Sequence, residues 1–212
     1  MSMNVLVVKY TPREEESRTK ALLEYVIKLF PEDYIYQEVD LAYTLPELMD
    51  RRKIALYYRR NYDQQPLTEQ EEAELSQMDS FADQLVQTDI LIVACPLYNF
   101  SVPAPVKAWI DASFQRGKTF DVTESNGVVP LCDHLRVLSL YTAGIVFDEV
   151  HNTEGMNTIE SLFEANFRWI GATDIRIIGI EGLDMVPPEE VVIRTKEAHR
   201  RITDICYKWF QQ

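Results

Sequence analysis

No stretch of the 212-residue chain approaches the roughly 20 consecutive apolar residues that a membrane-spanning helix needs, so no such span is expected. Positive charge is short as well: 21 Lys and Arg against 34 Asp and Glu leave a formal net charge of −13. A polyanion is bound by a basic face, so neither nucleic acid nor an anionic membrane surface is expected as a partner. The acidity itself reads as a solubility feature. Cysteine is scarce. Cys95, Cys132 and Cys206 are far apart and form no C-x-x-C, which argues against a disulfide framework and for a reducing, cytoplasmic setting. Cys95 reads as a small buried hydrophobe rather than a redox group. His134, His151 and His199 lack metal-ligand spacing, and no metal site is expected. The opening residues, MSMNVLVVKY, carry no basic segment and an apolar run of only about four residues, so no secretory leader is expected. Also absent are G-x-G-x-x-G and G-x-x-x-x-G-K-[ST], which removes the dinucleotide fingerprint and the P-loop.

What is present is alternation of strand and helix. Hydrophobic residues make up 46% of the chain, enough for one sizeable α/β domain over residues 1–212. Strands are predicted at 4–10, 34–40, 89–95, 135–141 and 174–182. A helix with Leu22, Leu23, Val26, Ile27 and Phe30 on one face runs from about Ser17. Thr68 and Glu71 make a capping box for the next, which carries Leu75, Met78, Ala82, Leu85 and Val86. A third begins near Pro103 with Val106, Trp109, Ile110 and Phe114 inward. Met156, Ile159, Phe163, Phe167 and Ile170 mark a fourth, and Pro187 and Pro188 open the last, with Val191, Ala198, Ile202, Ile205 and Trp209 as its buried stripe. Residues 41–67 carry a basic cluster and read as a helical insertion or a mobile flap. The pattern predicts a doubly wound parallel sheet with helices on both faces. Spacing alone does not give the strand order; the flavodoxin-like order 2-1-3-4-5 is the common five-stranded solution.

In such sheets ligands bind beyond the carboxyl ends of the strands. Three loops therefore matter. In the first, from Tyr10 to Thr19, Ser17, Arg18 and Thr19 fall at a helix start, where hydroxyls, a guanidinium and free N–H groups suit a phosphate. Plain capping by Ser17 is the competing reading. Glu14, Glu15 and Glu16 count against a phosphate unless they face solvent. The second loop follows a strand apolar throughout: Pro96, Leu97, Tyr98, Asn99 and Phe100 offer backbone polar groups beside flat apolar walls, a combination that suits a planar heterocycle. Pro103 and Pro105 preset the backbone behind it. In the third, Tyr141 and Thr142 offer hydroxyls and Gly144 allows close backbone approach.

With PLYNFSVPAPVKAWID, the chain resembles the flavodoxin-like NAD(P)H oxidoreductases, most of all the FMN-dependent NADH-azoreductases, whose usual form is P-M-Y-N-F before a Lys-containing helix. NVLVVKYTP with SRTKAL, GKTFDVTESNG and WIGATDIRIIGIEGL extend the resemblance over most of the chain. It implies noncovalent FMN, a homodimer with its site at the subunit interface, and NADH or NADPH as electron donor. By position, Ser17, Arg18 and Thr19 would hold the FMN phosphate, helped by backbone near Tyr10. Pro96, Leu97, Tyr98, Asn99 and Phe100 would line the ring, and Tyr141, Thr142, Ala143 and Gly144 its pyrimidine side. The chain departs from the family form at Tyr10, usually Ser, and at YTAG, where the family has S-R-G-G, so that Thr142 replaces Arg and Ala143 replaces Gly.

The resemblance implies ping-pong reduction of a quinone or azo compound, with hydride passing from the nicotinamide to the flavin and on to an acceptor on the same face. No protein acid, base or nucleophile is demanded, and no catalytic residue is singled out. The segment Arg51–Tyr62 is expected to cover the substrate, with Arg59 or Arg60 meeting the cofactor's phosphates, and Tyr57, Tyr58 and Tyr62 are candidates for a dimer interface. Two other readings are an electron-transfer flavodoxin and a non-enzymatic binding module on a degenerate flavodoxin-like scaffold.

Overall fold

The elements run β1 (Asn4–Lys9), α1 (Arg18–Ile27), β2 (Ile35–Asp40), α2 (Arg51–Asn61), α3 (Glu69–Val86), β3 (Ile90–Pro96), α4 (Ala104–Ser113), β4 (Phe120–Thr123), β5 (Gly127–Pro130), β6 (Arg136–Thr142), α5 (Ile159–Ile170), β7 (Asp174–Ile180) and α6 (Pro188–Phe210). They come from a computed structural model that describes residues 3–32, 34–123 and 127–210. The first two residues of MSMNVLVVKY and part of the GKTFDVTESNG stretch thus lie outside the described residues.

Five strands pair in parallel in the order β2-β1-β3-β6-β7. Setting aside the separate antiparallel hairpin β4–β5, this is the order 2-1-3-4-5. Alternation along each strand divides the core in two. Leu6 and Val8, Leu91 and Val93, and Val137 face α3, α4 and α5. Val5 and Val7, Ile90 and Ile92, and Leu138 and Leu140 face α1 and α6. A central strand covered on both faces has no polar side, which is why β3 is apolar from Ile90 to Cys95. Among the described residues no helix is long and apolar enough to cross a membrane.

The insertion after β2 is helical, and it is pinned. Asp50 caps α2 by accepting from the Lys53 N–H at 2.8 Å. Leu56 and Tyr57 are buried in the main core. The acids of α3 then take its arginines. Arg59 pairs with Glu71, while Arg60 meets Glu72 at 2.7 Å and Asp79 at 2.8 Å. This corrects the expectation that Arg59 or Arg60 reaches a cofactor phosphate: carboxylates one helix away already pair with both, although the buried Arg59 Nε has no hydrogen-bond partner. Tyr57, expected at a dimer surface, instead sends its hydroxyl inward to accept from the Arg116 N–H at 2.8 Å. Tyr58 stays exposed and stacks on Tyr62, with ring centroids 4.6 Å apart.

At the outer edge of the sheet, two arginines of α6 reach carbonyls of β7 and the turn after it. The carbonyl of Ile180 faces β6, where it accepts from the Ala143 N–H at 2.9 Å, so the carbonyls of Ile177 and Glu181 face outward. Arg201 donates to the first at 3.3 Å and Arg194 to the second at 3.2 Å.

Cys95, Cys132 and Cys206 are all free and buried. Burial pushes the Cys132 thiol up to about 11, with the Asp133 charge adding to it, and the Cys206 thiol up to about 12. The Cys95 thiol is raised by burial as well. Thiolate is the reactive form, so folded protein at pH 8 is expected to be inert to a thiol-specific disulfide reagent and to titrate fully once unfolded; a fast-reacting native thiol would contradict this packing. Replacing Arg60 with Ala should lower stability by about 1–3 kcal/mol, read from the urea midpoint, because Asp79 and Glu72 lose a charged donor. An unchanged midpoint would mean that α2 is held by its apolar face alone.

Candidate functional site

Because β1, β3 and β6 are parallel, their carboxyl ends open at one end of the sheet. The strand order reverses between β1 and β3, which leaves a crevice there. A cavity of about 200 Å³ occupies it. Its walls come from the start of α1, the ends of β3 and β6, and the turn after β7.

At the first wall, Ser17 caps α1, its Oγ accepting from the Lys20 N–H at 3.2 Å. Capping and anion binding are compatible, since the first-turn N–H groups of a helix have no carbonyl to bond. Arg18 and Thr19 line the cavity with Ser17. Thr19 is buried, and its Oγ1 is 2.6 Å from Oγ1 of Thr142, a bond that ties the start of α1 to the end of β6. The acids before Ser17 form a single 3₁₀ turn, Glu14–Glu16. Glu15 pairs with Lys20, and Glu14 accepts from the Tyr43 hydroxyl at 2.5 Å. Glu16 does line the cavity, where it pairs with Arg13 at 3.0 Å. Tyr10 contributes backbone: its N–H bonds the Ala94 carbonyl at 2.8 Å. Its ring, half-buried, meets Tyr98 edge-on with centroids 6.2 Å apart and is not part of the lining. Burial, then the neighbouring Tyr98, raises the Tyr10 phenol pKa.

The second wall is Pro96, Leu97 and Tyr98. The Leu97 N–H bonds the Thr142 carbonyl at 2.8 Å, carrying the β3–β6 pairing one step past the sheet. Tyr98 and Ser101 then exchange backbone hydrogen bonds at 2.9 and 3.0 Å around Asn99 and Phe100. Both central residues have positive φ, +46° at Asn99 and +69° at Phe100. Asn tolerates that region; a phenylalanine there costs roughly 1–3 kcal/mol. The Phe100 carbonyl accepts from the Thr158 N–H at 2.9 Å and from its hydroxyl at 2.8 Å, which holds the turn. Asn99 and Phe100 are exposed beside the cavity and do not line it.

The third wall is Thr142, Ala143 and Gly144. Tyr141, expected to offer its hydroxyl to a ligand, points to the other face of the sheet. Strand alternation alone dictates this once Thr142 faces the cavity. The phenol lies 2.7 Å from Oε1 of Glu160 and of Glu181 and accepts from Asn157 Nδ2 at 2.9 Å. Burial, reinforced by both carboxylates, keeps it protonated well above the usual phenol range. The ring crosses Gly179, its register partner on β7: a Cβ at Gly179 would fall 2.1 Å from the ring.

The structure thus brings together Ser17, Arg18, Thr19, Pro96, Leu97, Tyr98, Thr142, Ala143 and Gly144 in one cavity. Pro12, Arg13, Leu183 and Asp184 also line it and carry no sequence signal. Asp184 accepts from Arg18 at 2.8 Å. The donor set suits a phosphate-bearing aromatic ligand: an open helix N-terminus, two guanidinium groups, hydroxyls and an exposed tyrosine beside one another.

A family described by its flavodoxin-like fold matches residues 3–204. An FMN-dependent NADH:quinone oxidoreductase of Azospirillum brasilense is 28% identical over 188 residues, covering 87% of this chain and 89% of its own. One from Albidiferax ferrireducens is 31% identical over 153 residues, or 72% of this chain and 73% of its own. Among solved structures, an FMN-dependent NADH-azoreductase from Bacillus anthracis, in complex with FMN, matches with a TM-score of 0.82 at 21% identity, covering 97% of this chain and 100% of that one. The last likeness is one of fold.

The contact between Gly179 and the Tyr141 ring sets a testable cost. Gly179→Ala should destabilise the protein by about 1–3 kcal/mol through overpacking, and by clearly less in a Tyr141→Ala background. A urea double-mutant cycle measures the difference; equal costs in both backgrounds would contradict the geometry.

Proposed function

The chain belongs to the flavodoxin-like family matched over residues 3–204, which it shares with the FMN-dependent NADH:quinone oxidoreductases it resembles, and from that membership we propose that it reduces quinones or azo compounds with FMN and a nicotinamide nucleotide. The observation that carries this reading is the meeting of the α1 start, the Pro96–Tyr98 segment and the end of β6 at the strand-order reversal. The names of the relatives favour NADH as the donor.

Bound here, FMN would supply two-electron redox chemistry between a nicotinamide nucleotide and an electron-poor acceptor, a ping-pong course. The chain binds and orients. Arg18, the Ser17 hydroxyl and the open N–H groups of α1 would take the phosphate. Pro96, Leu97 and Tyr98 border the ring, with the Asn99–Phe100 turn fixing their position. Thr142, Ala143 and Gly144 approach from the other side, and backbone near Tyr10 supports the phosphate loop. Tyr141 sets the end of β6 from beneath and makes no ligand contact.

A cavity of about 200 Å³ is small against the roughly 300–1,000 Å³ usual for cofactor sites. A second copy completing its walls fits that size and the exposure of Tyr58, Tyr98 and Phe100. The reading is therefore of a homodimer. Three buried free thiols suit a reducing, cytoplasmic setting.

Purified protein mixed with FMN should quench flavin fluorescence, and NADH added anaerobically should bleach the bound flavin within the turnover time. Protein that stays colourless and fails to take up FMN would sink the enzyme reading. Flavin that binds and is not reduced by either nucleotide would instead point to an electron carrier.

A further inference from the structure

Each guanidinium in the cavity already has a carboxylate: Arg13 pairs with Glu16 at 3.0 Å and Arg18 with Asp184 at 2.8 Å. Arg13 and Arg18 are the only cations among the described lining residues, so charge within these walls balances before any ligand arrives. The two acids are not equivalent. Glu16 is three residues from its arginine, an ordinary local pair. Asp184 is 166 residues from Arg18 and is held in place by backbone. The Asp184 N–H bonds the Gly144 carbonyl at 2.9 Å and the Leu183 N–H bonds the Ala143 carbonyl at 3.1 Å, so the turn after β7 is stitched to the end of β6. Gly182, at φ +77°, permits that turn.

The Asp184 carboxylate also fills the opening that a glycine leaves. A Cβ on Gly144 would fall 2.3 Å from its Oδ2. One oxygen therefore lies over the Gly144 backbone while the other holds Arg18. Both side chains of the pair are at least half exposed, so the bond itself is weak and gives way readily to a stronger anion. The carboxylate cannot go far when the bond breaks, because its backbone is fixed and rotation about χ1 moves it only a few ångströms. A phosphate monoester, which carries close to two negative charges at neutral pH, would then share these walls with Asp184.

We propose that Asp184 is an internal competitor for the cofactor's phosphate, a positioning residue that occupies Arg18 in the free protein and weakens phosphate binding afterwards. The inference rests on the FMN reading above. Its consequence is selective: it penalises FMN and leaves riboflavin, which lacks the phosphate, untouched.

Fluorescence-quenching titrations of both flavins, at one ionic strength, test it. Asp184→Asn should tighten FMN by about three- to fivefold, the scale of one charge interaction between solvent-exposed groups, with riboflavin held within roughly 1.5-fold. Asp184→Glu, which keeps the charge, should stay close to the wild type for both. FMN binding that is unchanged or weaker in Asp184→Asn would overturn the proposal, as would equal tightening of both flavins, which would report a loosened loop. If wild type and Asp184→Asn both fail to bind either flavin, the FMN reading falls and this inference falls with it; wild-type binding with no gain in Asp184→Asn removes this inference alone.

Discussion

Parallel pairing is the constraint on which everything else here depends. A parallel strand cannot return to its neighbour by a tight turn, so each connection passes over a face of the sheet, usually as a helix. Two consequences follow together. Both faces are covered, which demands strands such as β3 that are apolar on both sides. All carboxyl ends open at one end, which gathers the start of α1, the Pro96–Tyr98 segment and the end of β6 around a single crevice. The site is a by-product of strand direction, sharpened by a few specific bonds. Of these the Thr19–Thr142 bond is the most economical: one buried contact of 2.6 Å fixes a helix start to the end of a strand 123 residues further along the chain.

The loop after β3 shows how the scaffold supports its own strain. Phe100 sits at φ +69°, a region poor for an aromatic residue, and keeps it because three neighbours over-determine the turn. Ser101 closes it by backbone bonds, Thr158 grips the Phe100 carbonyl twice, and Leu97 is already committed to Thr142. Tyr98 is therefore presented to the cavity on a rigid arm. The same logic explains why α2 is not free to reach a ligand: the acids that open α3 sit opposite its arginines, and short-range charge pairing wins.

The strands of the sheet and most of the helical faces were legible from the sequence, because burial on two faces leaves a periodic record in residue type; the strand order was not in the spacing, and Met156, expected on the fourth helix, is exposed ahead of α5. So were the loops, since their position follows from strand direction and PLYNF is distinctive. The capping box at Thr68 and Glu71 was readable for the same local reason. What escaped was non-local. Short β4 and β5 form a two-stranded hairpin apart from the main sheet, and four residues are too few for a period to show. Tyr141 belongs to a loop rich in ligand candidates, yet alternation turns it to the opposite face, where partners from α5 and the end of β7 receive it. Asp184 is one acid among 34 acidic residues, and only folding places it against Arg18.

At the β7 edge, a row of outward carbonyls would ordinarily be a template on which another strand could add. Arg194 and Arg201 occupy the acceptors on either side of Gly179, and they reach there from a helix that packs on the sheet for unrelated apolar reasons. An incoming strand would have to displace both guanidinium groups to recruit those carbonyls. Strand addition on that side therefore starts with a cost, the loss of two guanidinium bonds, that an edge with free carbonyls would not impose.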